Sequence, residues 1–171
     1  MPLNGIVHLS DAALIAVHAL AGLAAAPGRR VQSKELAAII DASENHLSKV
    51  MQRLVKGLFV KSVKGPNGGF ELAKPAEAIS FRDAIEAVDG PLTGDFCPFR
   101  TDRCNPVNCI FGHEISRHSA ELVAYLSKRT IADIAREAAA LVPPAYGTAA
   151  PSLLSAATVV NTASATTPVN I

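Results

Sequence analysis

Every cysteine of the chain lies in one short stretch, "DFCPFRTDRCNPVNC" at residues 95–109, which carries Cys97, Cys104 and Cys109 at a C-x6-C-x4-C spacing. Two prolines and the lack of any helical period make the stretch a loop. Clustered thiols can ligate a metal or cycle between thiol and disulfide. An odd number leaves one thiol over after any pairing, which favours a ligand or redox role over a structural crosslink. Arg100 and Arg103 stand between the thiols and would stabilise thiolate.

A second set of residues can meet a polyanion. The chain is 171 residues long with a formal charge of only +1. Residues 29–74, however, hold nine Lys/Arg against four Asp/Glu, and the rest holds seven against eleven. A basic block in an otherwise acidic chain marks a localised polyanion site. Within it, "SENHLSK" supplies Ser43, Asn45, His46, Ser48 and Lys49 at the start of an amphipathic stretch, with Arg53 and Lys56 further along. These hydroxyl, amide, imidazole and ammonium groups suit base edges and phosphates, and Arg53 suits the nucleic-acid backbone. The turn "KGPNGG" adds Lys64, Asn67 and Gly68, where backbone N–H groups could approach a phosphate.

The elements that would position these residues are mainly helical. Ser10 and Asp11 open a helix of about four turns that stops at Pro27-Gly28. "SKELAAII", capped by Ser33, is a second helix, and residues 41–43 form a turn. A third follows, with Leu47, Val50, Met51, Leu54 and Val55 on one stripe and Gly57 as its C-cap. The period then changes to two short strands, 59–63 and 70–72, around the glycine-rich turn. A helix-turn-helix followed directly by a hairpin is a winged helix-turn-helix, whose second helix enters the major groove. Ser80 and Asp83 cap a short helix before the cysteine loop. After the loop, Ile115, Leu122, Val123 and Leu126 stripe a longer helix, and Thr130 with Asp133 restarts a last one. From residue 143 onward there is no charge and no amphipathic period, so a flexible tail is expected. The fold class expected is mainly α with a small β-hairpin.

The same residues resemble the Rrf-two family of bacterial transcription regulators, which includes the iron–sulfur regulator IscR, the nitric-oxide sensor NsrR and the iron regulator RirA. The resemblance rests on the "GPNGGFEL" wing, the "AIEAVDG" helix with cysteines just after it, "SDAALIAVHAL" at the start and "TIADI" near the end. It covers residues 8–138 and implies this division: 1–90 a DNA-binding winged helix, 91–112 a cluster-binding loop, 113–142 dimerisation helices, 143–171 a tail. It further implies a cytoplasmic homodimer that acts as a repressor on a partly palindromic double-stranded operator, with half-sites about 34 Å apart. Where relatives often carry Arg on the wing, this chain has Lys64, which loses the bidentate fork.

By resemblance, the three thiols hold an iron–sulfur cluster, 2Fe–2S or 4Fe–4S, and leave one ligand position to another residue. Relatives show C-x5-C-x5-C, so the middle cysteine is displaced by one. Asp11 matches the aspartate that reaches across an NsrR-like dimer, and His113 falls near the histidine of the IscR-like group; the ungapped "SDAAL" favours Asp11. His18 and His118 sit on helices as structural or surface residues, and His8 is unconstrained. Three alternatives stay open: a thiol–disulfide switch, zinc on Cys97, Cys104, Cys109 and His113, or a loop without cofactor. No nucleophile elbow, phosphate-binding glycine loop or metalloprotease motif is present, so an enzyme is not expected. No apolar run reaches membrane-spanning length, and the first helix lacks a basic leader.

Overall fold

The computed structural model describes residues 9–65, 68–95, 109, 111 and 113–141, without the side chains of 139–141. In chain order these form α1 (Asp11–Ala24), α2 (Ser33–Ile39), α3 (Glu44–Lys56), β1 (Val60–Val63), β2 (Gly69–Leu72), a 3-10 turn (Ala76–Ala78), α4 (Phe81–Asp89), α5 (Glu114–Lys128) and α6 (Ile131–Leu141). Helices with one small hairpin are the class expected. The tail from 143, His8, Asn67, Cys97 and Cys104 lie outside the described residues.

The core is built on α1. It is apolar almost all round, with Ala13, Ala16, Val17, Ala19, Leu20, Ala21 and Leu23 buried, and its alanines let neighbouring helices approach closely. Helices α3, α4 and α6 all pack on it. From α3 come Leu47, Val50, Met51 and Leu54, from α4 Ala84, Ile85 and Val88, and Ile79 and Ile131 are buried beside them. Each fully buried Leu or Ile stabilises the fold by about 2 kcal/mol. Among the described residues no polar side chain is buried, so this core contains nothing but packing.

Local chemistry sets the boundaries. The Ser10 hydroxyl accepts from the Ala13 N–H at 3.0 Å and caps α1, as expected. Helix α1 ends at Ala24, one turn before Pro27. The expected Ser33 cap is corrected: Gln32 is the N-cap of α2, without a side-chain bond, and Ser33 is already helical. The preceding residue explains the shift, because Val31 is held in an extended bridge and the chain can turn into the helix only after it. Asp41 takes the left-handed conformation (φ 51°) in the turn to α3, a conformation that a short polar side chain tolerates.

The C-terminus of α3 departs from the expectation in detail. Gly57 is the C-cap, but its φ is −78°, and the left-handed residue is Leu58 at φ 60°. Phe59 N–H donates to Leu54 O at 3.0 Å and Leu58 N–H to Val55 O at 3.1 Å, the pair of bonds that defines a Schellman motif. Glycine is needed at 57 for a different reason: a Cβ there would sit 2.9 Å from the Phe59 ring.

Candidate nucleic-acid interface and cysteine loop

Helix α3 is presented by its own packing. Its apolar stripe is buried, so the N-terminal residues Ser43, Asn45, Ser48 and Lys49 face solvent and His46 is half-buried. The Ser43 hydroxyl accepts from the His46 N–H at 3.3 Å and is the N-cap. The polar groups expected to meet DNA therefore share one exposed end of one helix. Arg53, two turns further on, is placed otherwise: its Nη1 donates to the carbonyl of Val88 at the end of α4.

The wing is a hairpin in which Val60 faces Leu72 and Val63 faces Gly69. It has a third, one-residue member. Val31 exchanges both backbone hydrogen bonds with Phe70, each at 2.9 Å, which anchors the wing to the segment before α2. This bridge explains one glycine and the hairpin turn a second. A Cβ on Gly69 (φ 146°) would lie 2.6 Å from Val31 O, and one on Gly68 would lie 2.3 Å from Val63 O. Gly68 is buried and its N–H donates to Gly65 O at 2.9 Å, so the expectation that it offers this N–H to a phosphate is corrected: it shapes the turn. Lys64 is exposed at the tip.

Two further basic residues lie beside the wing, one paired to α2 and one to β2. Arg29 pairs with Glu35 at 2.7 Å and Arg30 with Glu71 of β2 at 3.2 Å, along a shallow groove that also includes Gln32 and Gly68. Both pairs are exposed and so contribute little stability. The Arg29 partner holds the Glu35 carboxyl below its ordinary value. The doublet "RR" was visible in the sequence; the partner of Arg30 was not, because Glu71 is brought near only by the Val31–Phe70 bridge.

The root of the cysteine loop is fixed on α4. Gly90 ends the helix at φ 89°. The Leu92 N–H donates to Glu86 Oε1 at 2.9 Å, and Arg82 Nη2 donates to Leu92 O at 3.2 Å, so both backbone groups of Leu92 are held by one ion pair, Arg82–Glu86 at 2.7 Å. The bond from Arg82, followed by that from Leu92, lowers the Glu86 carboxyl below its ordinary value. Gly94 then passes so close to α5 that a Cβ would meet Ala120 Cα at 3.1 Å. Ser10, one residue before Asp11, donates its hydroxyl proton to the Asp89 carboxylate, with oxygens at 2.7 and 2.8 Å. Asp11 is exposed and starts α1 beside that tether. At the other end of the loop Cys109 is half-buried, and His113 takes φ 64° immediately before α5.

The remaining histidines are engaged as helical residues. His18 Nδ1 donates to Leu14 O at 2.7 Å, and His118 lies exposed between Glu114 and Glu121. Helix α5 packs on α4, yet Leu126 is its single buried residue; Ile115, Leu122 and Val123 are half-buried and Tyr125 is 56% exposed. Among the described residues no helix is long and apolar enough to cross a membrane.

Comparison with known proteins agrees with this geometry. A family model described as Rrf2, iron-dependent transcriptional regulator, matches residues 9–137. A protein of Aquifex aeolicus assigned as an HTH-type transcriptional regulator is 34% identical over 130 residues, covering 73% of this chain and 89% of its own. Among solved structures, T. potens IscR superposes with a TM-score of 0.64 at 26% identity, over 81% of this chain and 93% of its own. CymR, the global cysteine regulator of B. subtilis, gives 0.67 at 22% identity, over 77% and 98%.

Proposed function

The chain belongs to the Rrf2 family of DNA-binding transcriptional regulators, and from that premise we propose that it is a cytoplasmic, homodimeric repressor whose operator affinity is set by an iron–sulfur cluster in the cysteine loop. The observation that carries this reading is the placement of all three thiols between α4 and α5. The first of these helices packs on α3, and the second keeps a half-exposed apolar stripe for a partner protomer. On this reading residues 1–90 bind DNA, 91–112 hold the cluster and 113–142 pair the protomers.

Ser43, Asn45, His46, Ser48 and Lys49 read or hold the operator from α3, and Lys64 with Asn67 does so from the wing. The donor set fits a cluster. Cys97, Cys104 and Cys109 supply three thiolates, and a fourth ligand is available as the Asp11 carboxylate or the His113 imidazole. Both are exposed: Asp11 beside the Ser10–Asp89 tether at the loop root, His113 at the loop's other end. When bound, the cluster would supply a redox- and ligand-sensitive iron centre. The chain's own part is to hold it through a loop fixed at Leu92 and Gly94, so that order in the loop and the seat of α3 are linked. Such linkage is reciprocal and typically worth about 1–3 kcal/mol, a 5–150-fold change in affinity.

The test is an absorption spectrum with iron, acid-labile sulfide and zinc analysis on protein purified without oxygen, followed by operator titration before and after removal of the cluster. Visible bands with iron and sulfide, and an affinity that changes at least fivefold, are expected. Protein that stays colourless after reconstitution would overturn the cluster; bound zinc would then make the loop a zinc site, and a metal-free protein whose affinity follows dithiol oxidation would make it a thiol switch.

A further inference from the structure

Three contacts converge on the last turn of α4. The first comes from the recognition helix. Val88 O is one of the carbonyls that a helix C-terminus leaves without an intrahelical partner, and Arg53 of α3 fills it. A cation there also complements the negative end of the helix dipole. The second comes from α1, whose capping residue Ser10 holds the Asp89 carboxylate. The third is the chain itself, which leaves at Gly90 and is caught two residues later by Glu86 and Arg82. Recognition helix, first helix and loop root are thus bonded to one another through Val88, Asp89 and Leu92.

We infer that Arg53 is a positioning residue: through the Val88 carbonyl it sets the seat of α3 on α4 and transmits the state of the cysteine loop to the DNA-reading end of α3. The deduction rests on the proposed role of the loop. Its physical core is that a guanidinium bond is directional and short, so a shift of α4's last turn by about an ångström breaks it or drags α3 along. Hydrophobic packing between α3 and α4 has no such direction. Arg53 on a phosphate would have to leave a carbonyl that has no other intrahelical donor. Asp89 is the companion joint, since it ties the same turn to the residue preceding Asp11.

A contact chain is a coupling only if breaking it changes the linkage, which a thermodynamic cycle reads directly. The probe is a labelled duplex selected by the full-length wild-type chain from a random pool. Its affinity is measured across a salt series for wild type, Arg53→Met and Asp89→Asn, each with the thiols intact and with Cys97, Cys104 and Cys109 changed to Ser. For Arg53→Met the expected result is weaker binding with the salt slope unchanged, and a thiol-dependent affinity ratio that falls from fivefold or more to within twofold. A slope reduced by about 0.9, the mark of one lost phosphate contact, with the ratio intact, would overturn the inference. A wild-type ratio of one would instead remove the sensor reading and the coupling with it, while the slope still decides where Arg53 acts. Should Arg53→Met fail to fold, Asp89→Asn carries the same test, because it leaves Arg53 in place: a collapsed ratio supports the joint and an intact ratio overturns it.

Discussion

Ser80 and Thr130 face each other across an antiparallel bridge, and each is the capping residue of its own helix. Phe81 N–H donates to Arg129 O at 2.8 Å and Ile131 N–H to Ile79 O at 2.9 Å. The Asp three residues on returns the bond in both cases, Asp83 to Ser80 N–H at 3.0 Å and Asp133 to Thr130 N–H at 2.9 Å. Two helix N-termini, α4 and α6, are therefore started by one joint that also closes the ends of the fold. Ser80→Ala and Thr130→Ala should each cost about 1 kcal/mol. Because the caps share a bridge, the double variant should depart from additivity by about 0.5 kcal/mol or more. Urea unfolding midpoints of the three variants decide it, and strict additivity would show the caps to be independent.

The same joint gives a pH dependence. The Thr130 N–H, then its hydroxyl, hold the Asp133 carboxyl below its ordinary value. A depressed folded-state pKa stabilises the fold above the unfolded value, and that contribution is lost as pH falls through the folded value. Glu86 shifts in the same direction through Arg82 and the Leu92 N–H. Melting temperature should thus be flat near neutrality and fall in the acid range where carboxylates protonate. Asp133→Asn should lower the neutral plateau and flatten the acid limb. An acid limb as steep as wild type would place the titration elsewhere.

Lys49 and Lys64 are exposed on α3 and at the wing tip, with no ion pair described for either. If both neutralise phosphates, Lys49→Ala with Lys64→Ala should weaken operator binding and reduce the slope of log affinity against log salt by about 1.8. Fluorescence anisotropy at several salt concentrations measures this. Gly69→Ala should act differently, by driving a Cβ against Val31 O and loosening the whole wing. It should lower stability as well as affinity, by about 2 kcal/mol for strain at a special backbone position.

The division between what could and could not be read from sequence follows the range of each interaction. Capping pairs are three residues apart, so Ser10, Ser80 and Thr130 were legible, as were the α3 stripe and the hairpin period, whereas Ser43 was legible as a polar turn residue and not as the cap of α3. The Val31–Phe70 bridge has one residue on one side and leaves no period to find. Its presence moved the start of α2 and fixed Gly69, two details that a local reading misassigned or missed. Arg53 looked like any basic residue on a recognition helix because its partner, Val88 O, is a backbone atom 35 residues away. Arg29 and Arg30 counted toward the basic block, but the partner of Arg30, Glu71, lies 41 residues away and depends on the same bridge.

Leu58 offers the last test, because the sequence pointed to its neighbour. Gly57 is the C-cap of α3, as expected, but the left-handed residue is Leu58, which has φ 60° with 74% of its surface exposed. A β-carbon in that conformation costs about 1–2 kcal/mol, and an exposed leucine returns little by burial. Leu58→Gly should therefore raise stability by about 1 kcal/mol while leaving the Schellman bonds and operator affinity unchanged. Gly57→Ala should do the reverse, because its Cβ meets the Phe59 ring at 2.9 Å. Thermal unfolding of the two variants is the measurement. If Leu58→Gly is destabilising instead, Leu58 must be covered in the assembled protein, and its loss should then also weaken the dimer or its complex with DNA.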